Sequence, residues 1–301
     1  MPLPHSGRSG SDTPATTVIR TPTPTVQAII VTFNSEDHIE SCIRALVDSG
    51  IHRILVWDNA SSDATASLAS GAYSSARIVC SESNLGFARA VNVAASECGP
   101  SDFLLLINPD CRATRRTLAR LEDMLCSNPQ IGAVAPAMIC GDGRRGISGG
   151  GQPTLAKEVA AILRLERLVP LHLVHKLGKA FHMERRRLMQ YMETSEPGPP
   201  IQVDWVSGFC LMVRRDAWIE AGGFDERFFM YFEDVDFGKR LSDRGWLSYC
   251  VRDVAATHYE SSSSLKVGKN RMYRASLCQY FQLHGNLAQR LAAQVLGLAG
   301  S

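Results

Sequence analysis

The chain has 301 residues, of which 45% are apolar and 21% charged, with a formal net charge of +2. That is the balance of a globular protein with a sizeable core, in one large domain or two small ones, and it speaks against a general nucleic-acid binder. The nine cysteines form no CxxC pair and no metal-type cluster, which reads as reduced thiols, mostly small core residues, in a cytosolic protein. The N-terminus shows no apolar signal core, and no apolar run approaches the roughly 18 residues that cross a bilayer. A cytoplasmic location follows, with peripheral attachment at the inner face of the plasma membrane as its variant.

Residues 1–25 are rich in Pro, Ser and Thr and end in TPTPT, which reads as a disordered leader unable to bury apolar surface. The pattern then changes. Ala28–Val31 is a continuous apolar run suited to a strand covered on both faces. A helix is expected next, capped by Ser35, with Ile39, Ile43, Leu46 and Val47 inward. Arg53–Trp57 predicts a second strand, ending at DNASSD (Asp58–Asp63). A further helix and Arg77–Cys80 repeat the unit. Phe103–Ile107 is the most apolar strand and stops at Asn108-Pro109-Asp110. Alternating strands and helices predict a doubly wound α/β sheet, whose ligands bind beyond the carboxyl ends of the strands. Asp58 and Asp110 stand at two such ends.

Each has a competing reading as a turn or helix cap. For Asp110 the alternative is a carboxylate able to take a hard divalent cation while leaving positions for phosphate oxygens. NLGFARAVN (Asn84–Asn92) predicts a glycine turn opening a helix, where backbone amides, Arg89 and Asn92 could face a phosphate or a base; an ordinary helix start fits equally. No GxGxxG follows the first strand and no GxxxxGK[ST] occurs, so dinucleotide-binding Rossmann domains and phosphate-loop NTPases are set aside.

GDGRRGISGGG (Gly141–Gly151) predicts a mobile loop. Beyond it a helical, basic insert, about residues 152–200, carries Lys157, Arg164, Arg167, Lys176, Lys179 and Arg185–Arg187. An anionic membrane surface, a pyrophosphate-bearing acceptor, or plain solvation would each explain it. VDWVSGFCLMVR (Val203–Arg214) predicts a strand on which Asp204 and Trp205 suit sugar recognition, or a core tryptophan. GGFDERFFMYFEDVDFGKRL (Gly222–Leu241) runs aromatics into Glu233, Asp234 and Asp236 at a helix start. Asp236 is placed to pair with Arg240, and aromatics walling the acids suggest a dry site. Gly245–Val251 predicts the last strand, followed by His258, and Asn270–Leu298 an amphipathic helix in the segment 261–301 that packs on the domain or lies on a membrane.

The ordered set VTFN, DNASSD, NLGFARAVN, INPD, DWVSGFCLMVRR, GGFDERFFMYFEDVDFGKRL and His258 resembles the inverting GT-A glycosyltransferases of family 2, most closely the rhamnosyltransferase-like branch, over roughly Val26–Tyr259. The resemblance implies a GT-A domain at 26–260 and a nucleotide-sugar donor, dTDP- or UDP-linked, with L-rhamnose as a candidate sugar. It implies a hydroxyl acceptor on a cell-surface polysaccharide or lipid-linked glycan, and Mg²⁺ or Mn²⁺. Donor binding would fall to Thr32, Asn34, Asp58, Asn84, Arg89, Asn108 and Asp110, and the metal to Asp110 and His258. Asp234 would be the catalytic base with Glu233 beside it; Asp204, Trp205 and Gly208 would lie near sugar and acceptor. An asparagine at 108 in place of a first aspartate leaves the choice of ion open. A base at a helix start is expected to stay ionised through the dipole and to act through position more than through a raised pKa. The alternatives are a sugar nucleotidyltransferase, which would need a Gly-rich basic signature near the first strand that VTFN lacks, and a catalytically silent sugar-nucleotide or glycan binder.

Overall fold

The computed structural model describes residues 24–154, 197–259 and 271–298; the leader and most of the basic insert lie outside them. Four strands, β1 (Val26–Thr32), β2 (Ile54–Asp58), β3 (Arg77–Cys80) and β4 (Phe103–Ile107), pair in parallel in the order β3-β2-β1-β4. β1, β2 and β4 are buried along their whole length, as continuous apolar runs require when helices cover both faces. The crossovers are α1 (Ile39–Asp48), α2 (Thr65–Ala72) and α3 (Phe87–Ser96).

The other half of the sheet departs from simple parallel winding. After β5 (Cys111–Ala113) and α4 (Arg115–Ser127), β6 (Ile131–Cys140) turns into β7 (Arg145–Gly146). β11 (Cys210–Arg214) then inserts antiparallel between β4 and β6. The final strand β12 (Leu247–His258) lies parallel to β6 and antiparallel to β5. The region read as one strand from Val203 is three: β9 (Ile201–Val203), β10 (Trp205–Val206) and β11. The glycine-rich run is not a loose loop. It holds β7 and β8 (Gly149–Gly150), and β8 pairs with β10.

Two further expectations are corrected. Ser35 does not cap α1 with its side chain; its carbonyl accepts from the N–H groups of His38 and Ile39, closing a turn ahead of the helix. The C-terminal segment is two helices, α7 (Arg271–His284) and α8 (Leu287–Leu298), broken at Gly285–Asn286. They pack against the stretch after α5 (Arg215–Ala221), and Phe228, Phe232, Leu277, Tyr280, Phe281 and Trp205 share a small core apart from those flanking the sheet. All nine cysteines are free, and no described helix is long and apolar enough to cross a membrane.

Candidate active site

The site gathers at the carboxyl ends of β1, β2 and β4. Thr32 and Asp58 end β1 and β2 and are paired in register. Asp58 is buried, and its carboxylate accepts from the backbone N–H (3.0 Å) and hydroxyl of Ser61, three residues on, which closes the DNASS turn on itself. Asn34, at φ 47°, braces the same turn: its Oδ1 accepts from Ser62 N–H (2.8 Å) and its own N–H donates to Ser61 Oγ (2.9 Å). Asn59 ties this region to the next. Its Nδ2 donates to Asn84 Oδ1 (3.0 Å) and to the Gly86 carbonyl (3.1 Å), while its Oδ1 accepts from Leu85 N–H. Asn84 is therefore a loop brace. Arg89 lies exposed on the surface 3.7 Å from Glu226.

At the α3 start, two of the groups read as a phosphate cradle are already engaged within the protein. The Phe87 N–H donates to the Phe229 carbonyl (2.7 Å), and Asn92 binds the Phe224 backbone through both its Oδ1 and its Nδ2. Gly86 has φ 78°, and a Cβ there would stand 2.6 Å from the Phe229 ring and carbonyl, so only glycine permits this contact.

β4 ends at Asn108, whose N–H donates to the Phe209 carbonyl (2.9 Å). Because β12 pairs His258 with Cys111, the imidazole arrives beside the residue just before β5: His258 Nε2 lies 3.1 Å from Asp110 Oδ1 and 3.2 Å from Asn108 Nδ2. One Nε2 proton cannot serve both neighbours. With the proton on Nδ1, the Nε2 lone pair and the Asp110 carboxylate face each other, the oxygen-and-imidazole pair that a Mn²⁺-type ion accepts. Two protein ligands suffice when phosphate oxygens and water complete the shell. Arg112, which belongs to none of the motifs, fastens this corner to α1. Its guanidinium donates to the carbonyls of Pro109 (3.1 Å), Cys111 (2.8 Å) and His38 (2.9 Å).

Opposite stands α6 (Glu233–Ser242). Acids fill its first turn and Lys239 and Arg240 its last, matching the helix dipole at both ends. Asp236 pairs with Arg240 (2.7 Å), the i,i+4 contact expected from the spacing. The Asp234 carboxylate is held by the N–H groups of Gly208 (3.1 Å) and Val235 (2.8 Å). Gly208 and Phe209 lead into β11, so one short segment touches both Asn108 and Asp234.

Here the electrostatic expectation is corrected in one half: Asp234 stays ionised at neutral pH, but its pKa is raised. Burial pushes the Asp234 carboxyl up from 3.8 to about 6, with the hydrogen bonds from Gly208, Val235 and its own N–H opposing the rise. Glu233, 6% exposed and with Oε2 buried without a hydrogen-bond partner among the described residues, is held well above the usual carboxylate range by burial first and the Asp234 charge second. The dipole is worth about 1 kcal/mol, too little to cancel such desolvation. Asp234 thus loses its proton just below neutrality, where a general base works best, beside a Glu233 carboxyl whose charged form burial disfavours.

Trp205 does not offer a face to a sugar. It is 8% exposed, lies in the small core with Phe228 and Phe232, and its indole N–H donates to the Gly151 carbonyl (3.0 Å). Asp204 accepts from Gln152 N–H (2.8 Å) and remains partly exposed.

Residues 27–218 match the model of "Glycosyl transferase family 2". The chain belongs to this family. It is 31% identical over 255 residues to an N-acetylglucosaminyl-diphospho-decaprenol L-rhamnosyltransferase of Mycobacterium tuberculosis, covering 80% of this chain and 78% of that one. A shorter stretch, 57 residues at 40% identity, matches the rhamnosyltransferase WbbL of Escherichia coli, 19% of this chain and 22% of that one. In fold it is similar to a mannosyltransferase of Pyrobaculum calidifontis solved with GDP-Man and Mn²⁺ (TM-score 0.56, 16% identity, 92% of this chain and 73% of that one). It is also similar to TarS of S. aureus (TM-score 0.51, 15% identity, 91% and 69%). The chain is accordingly a glycosyltransferase of rhamnosyltransferase-like sequence, on the GT-A fold.

Proposed function

We propose that this glycosyltransferase moves L-rhamnose from dTDP-L-rhamnose to a hydroxyl of a polyprenyl-diphosphate-linked glycan, with inversion, and that Asp234 is the base. The observation that carries the reading is the placement of Asp234. Its carboxylate is pinned by two backbone N–H groups beside the buried Glu233, and its partner Gly208 adjoins the strand end that bears Asn108 and Asp110. In the reaction the acceptor hydroxyl gives its proton to Asp234 as its oxygen attacks the anomeric carbon, and the bond from that carbon to the nucleoside diphosphate breaks on the opposite face. Two fixed hydrogen bonds keep the carboxylate oriented, so position and a matched pKa both contribute.

Asp58, with Thr32 and Asn34 alongside, lines the nucleoside end; Asp110 and His258 would hold Mg²⁺ or Mn²⁺ at the diphosphate. When bound, such an ion neutralises charge on the leaving group. The likeness to an enzyme named for a decaprenol-linked substrate supports the lipid-linked acceptor. So does α8, where Leu287, Leu291 and Val295 stand exposed on one face. No acidic residue occurs between Arg271 and Leu298, which suits an anionic lipid surface.

A thermal-shift series of dTDP-, UDP- and GDP-sugars with Mn²⁺ or Mg²⁺ tests the donor site, since a ligand at about a hundred times its Kd stabilises by roughly 2.7 kcal/mol. Transfer from dTDP-L-rhamnose to synthetic N-acetylglucosaminyl-diphospho-polyprenol tests the acceptor. A shift with dTDP-L-rhamnose and metal, followed by transfer, is the expected result. No shift with any nucleotide sugar refutes the donor site; a shift without transfer refutes the acceptor class.

A further inference from the structure

The turn that delivers Asp234 is built against its own backbone preferences. Tyr231 (φ 70°) and Phe232 (φ 66°) are consecutive left-handed residues, and neither is glycine. Each is disfavoured for a residue with a Cβ, and the conformation persists only where the surroundings impose it. From the donor side, Phe87 N–H holds the Phe229 carbonyl. Further restraints come from α7, beyond the stretch that matches the family.

Ser276 Oγ donates to the Met230 carbonyl (2.7 Å). Tyr273 packs edge-on against Tyr231 and Phe232, with ring centroids 5.9 and 5.1 Å apart, and Tyr280 leans on Phe232 at 5.7 Å. Tyr280 also donates its hydroxyl to Gln152 Oε1, and Gln152 N–H is the donor to Asp204. At the end of α7, His284 Nε2 donates to Asp236 Oδ1 (2.7 Å) while Arg240 Nε holds Oδ2 (2.7 Å). Asp236 is 1% exposed and lies one turn into α6, its N–H on the Phe232 carbonyl (2.9 Å). Anchoring a helix at a residue two positions past the base fixes how the helix is rotated about its axis, and with it where Asp234 points.

We infer that α7 is a working part of the catalytic apparatus. His284 acting through Asp236, and Ser276 acting through the Met230 carbonyl, are positioning residues that hold the left-handed turn and aim Asp234 at the acceptor. The inference rests on Asp234 as the base. Loosening the turn leaves the Asp58 and Asp110 ends of the sheet in place, so donor affinity is untouched while the base drifts from the hydroxyl.

The test uses the full chain with His284→Ala, His284→Gln and Ser276→Ala, and Asp234→Asn as reference. Turnover is followed as nucleoside diphosphate released from dTDP-L-rhamnose in the presence of the polyprenyl-linked N-acetylglucosamine acceptor, per folded molecule as judged by melting. For His284→Ala, kcat is expected to fall on the order of ten- to a hundredfold, the scale of an ångström-sized misplacement, with donor KM within about twofold. Glutamine carries an amide N–H at a similar reach and restores most of the rate. Should His284→Ala fail to fold, Ser276→Ala decides, with a severalfold loss of kcat at unchanged donor KM. A wild-type kcat in the folded variant, or kcat and donor affinity lost together, overturns the inference. Full transfer by Asp234→Asn, or none by the wild type, overturns instead the function on which it rests.

Discussion

Asp234→Asn separates catalysis from stability in opposite directions. The folded-state pKa is raised from 3.8 to about 6, so the folded chain binds this proton more tightly than the unfolded one. The associated stabilisation is fully present below pH 3.8 and is lost as pH rises through about 6. Near pH 7 the ionised carboxylate therefore costs the fold up to roughly 3 kcal/mol relative to a neutral group of the same shape. Asparagine removes that cost, but its NH₂ must face one of the two backbone donors, Gly208 or Val235, which gives back about 1–1.5 kcal/mol. The net expectation is a variant more stable by about 1–2 kcal/mol, a rise of roughly 2–6 °C in Tm at neutral pH. The advantage shrinks as the pH is lowered towards about 4, because the wild-type group is then neutral too. Melting curves across this range, with transfer assays on the same samples, check both halves: Tm up, transfer gone, nucleotide-sugar binding kept. A variant less stable than wild type near pH 7, or a difference that does not change with pH, refutes the buried-base reasoning.

Other perturbations follow from the same contacts. Wild-type transfer should fall as pH drops through about 6, where Asp234 takes up a proton, and a rate flat to pH 5 contradicts its role as base. Asp236→Leu strands Arg240 and His284 in a buried site and should destabilise by about 3–5 kcal/mol, read by denaturant unfolding. At Gly238 a Cβ would stand 2.6 Å from the Asp204 carbonyl and the Trp205 Cβ, so Gly238→Ala should push α6 off β10 and lower kcat more than donor affinity. Chelation of divalent ions, or Asp110→Asn, should abolish the thermal shift given by dTDP-L-rhamnose while leaving the ligand-free melting point near wild type.

The parallel half of the fold was legible because burial on both faces writes an unbroken apolar run, as in Ile29–Val31 and Leu104–Ile107. Direction is not written that way: β11 is just as buried antiparallel as it would be parallel, so the mixed half could not be read. The left-handed turn at Tyr231–Phe232 carries no glycine to announce it. The turn at Asp58 was readable, since its carboxylate closes on Ser61 only three residues away. The link from His284 to Asp236 was not, because 48 residues separate them and only tertiary packing makes them neighbours. The helix dipole misled for the opposite reason: it is a local property, whereas the desolvation that outweighs it is set by the whole surround.

The seam between α3 and the stretch after α5 carries a consequence for recombination among relatives. On one side stand Gly86, Phe87 and Asn92; on the other the partners are the carbonyl of Phe229 and the backbone N–H and carbonyl of Phe224. Main-chain groups are the same whatever side chains they carry. A chimera that grafts a foreign segment from about residue 219 onward therefore finds part of its dock ready-made, but it must also supply Gly223, where a Cβ would stand 2.6 Å from Asn92 Oδ1, and partners such as Phe224 and Glu226 for Phe87, Asn92 and Arg89. The half of the chain that bears Asp58 and Asp110 and the half that bears Asp234 are in this way joined at that seam by main-chain hydrogen bonds and by a few matched side chains together.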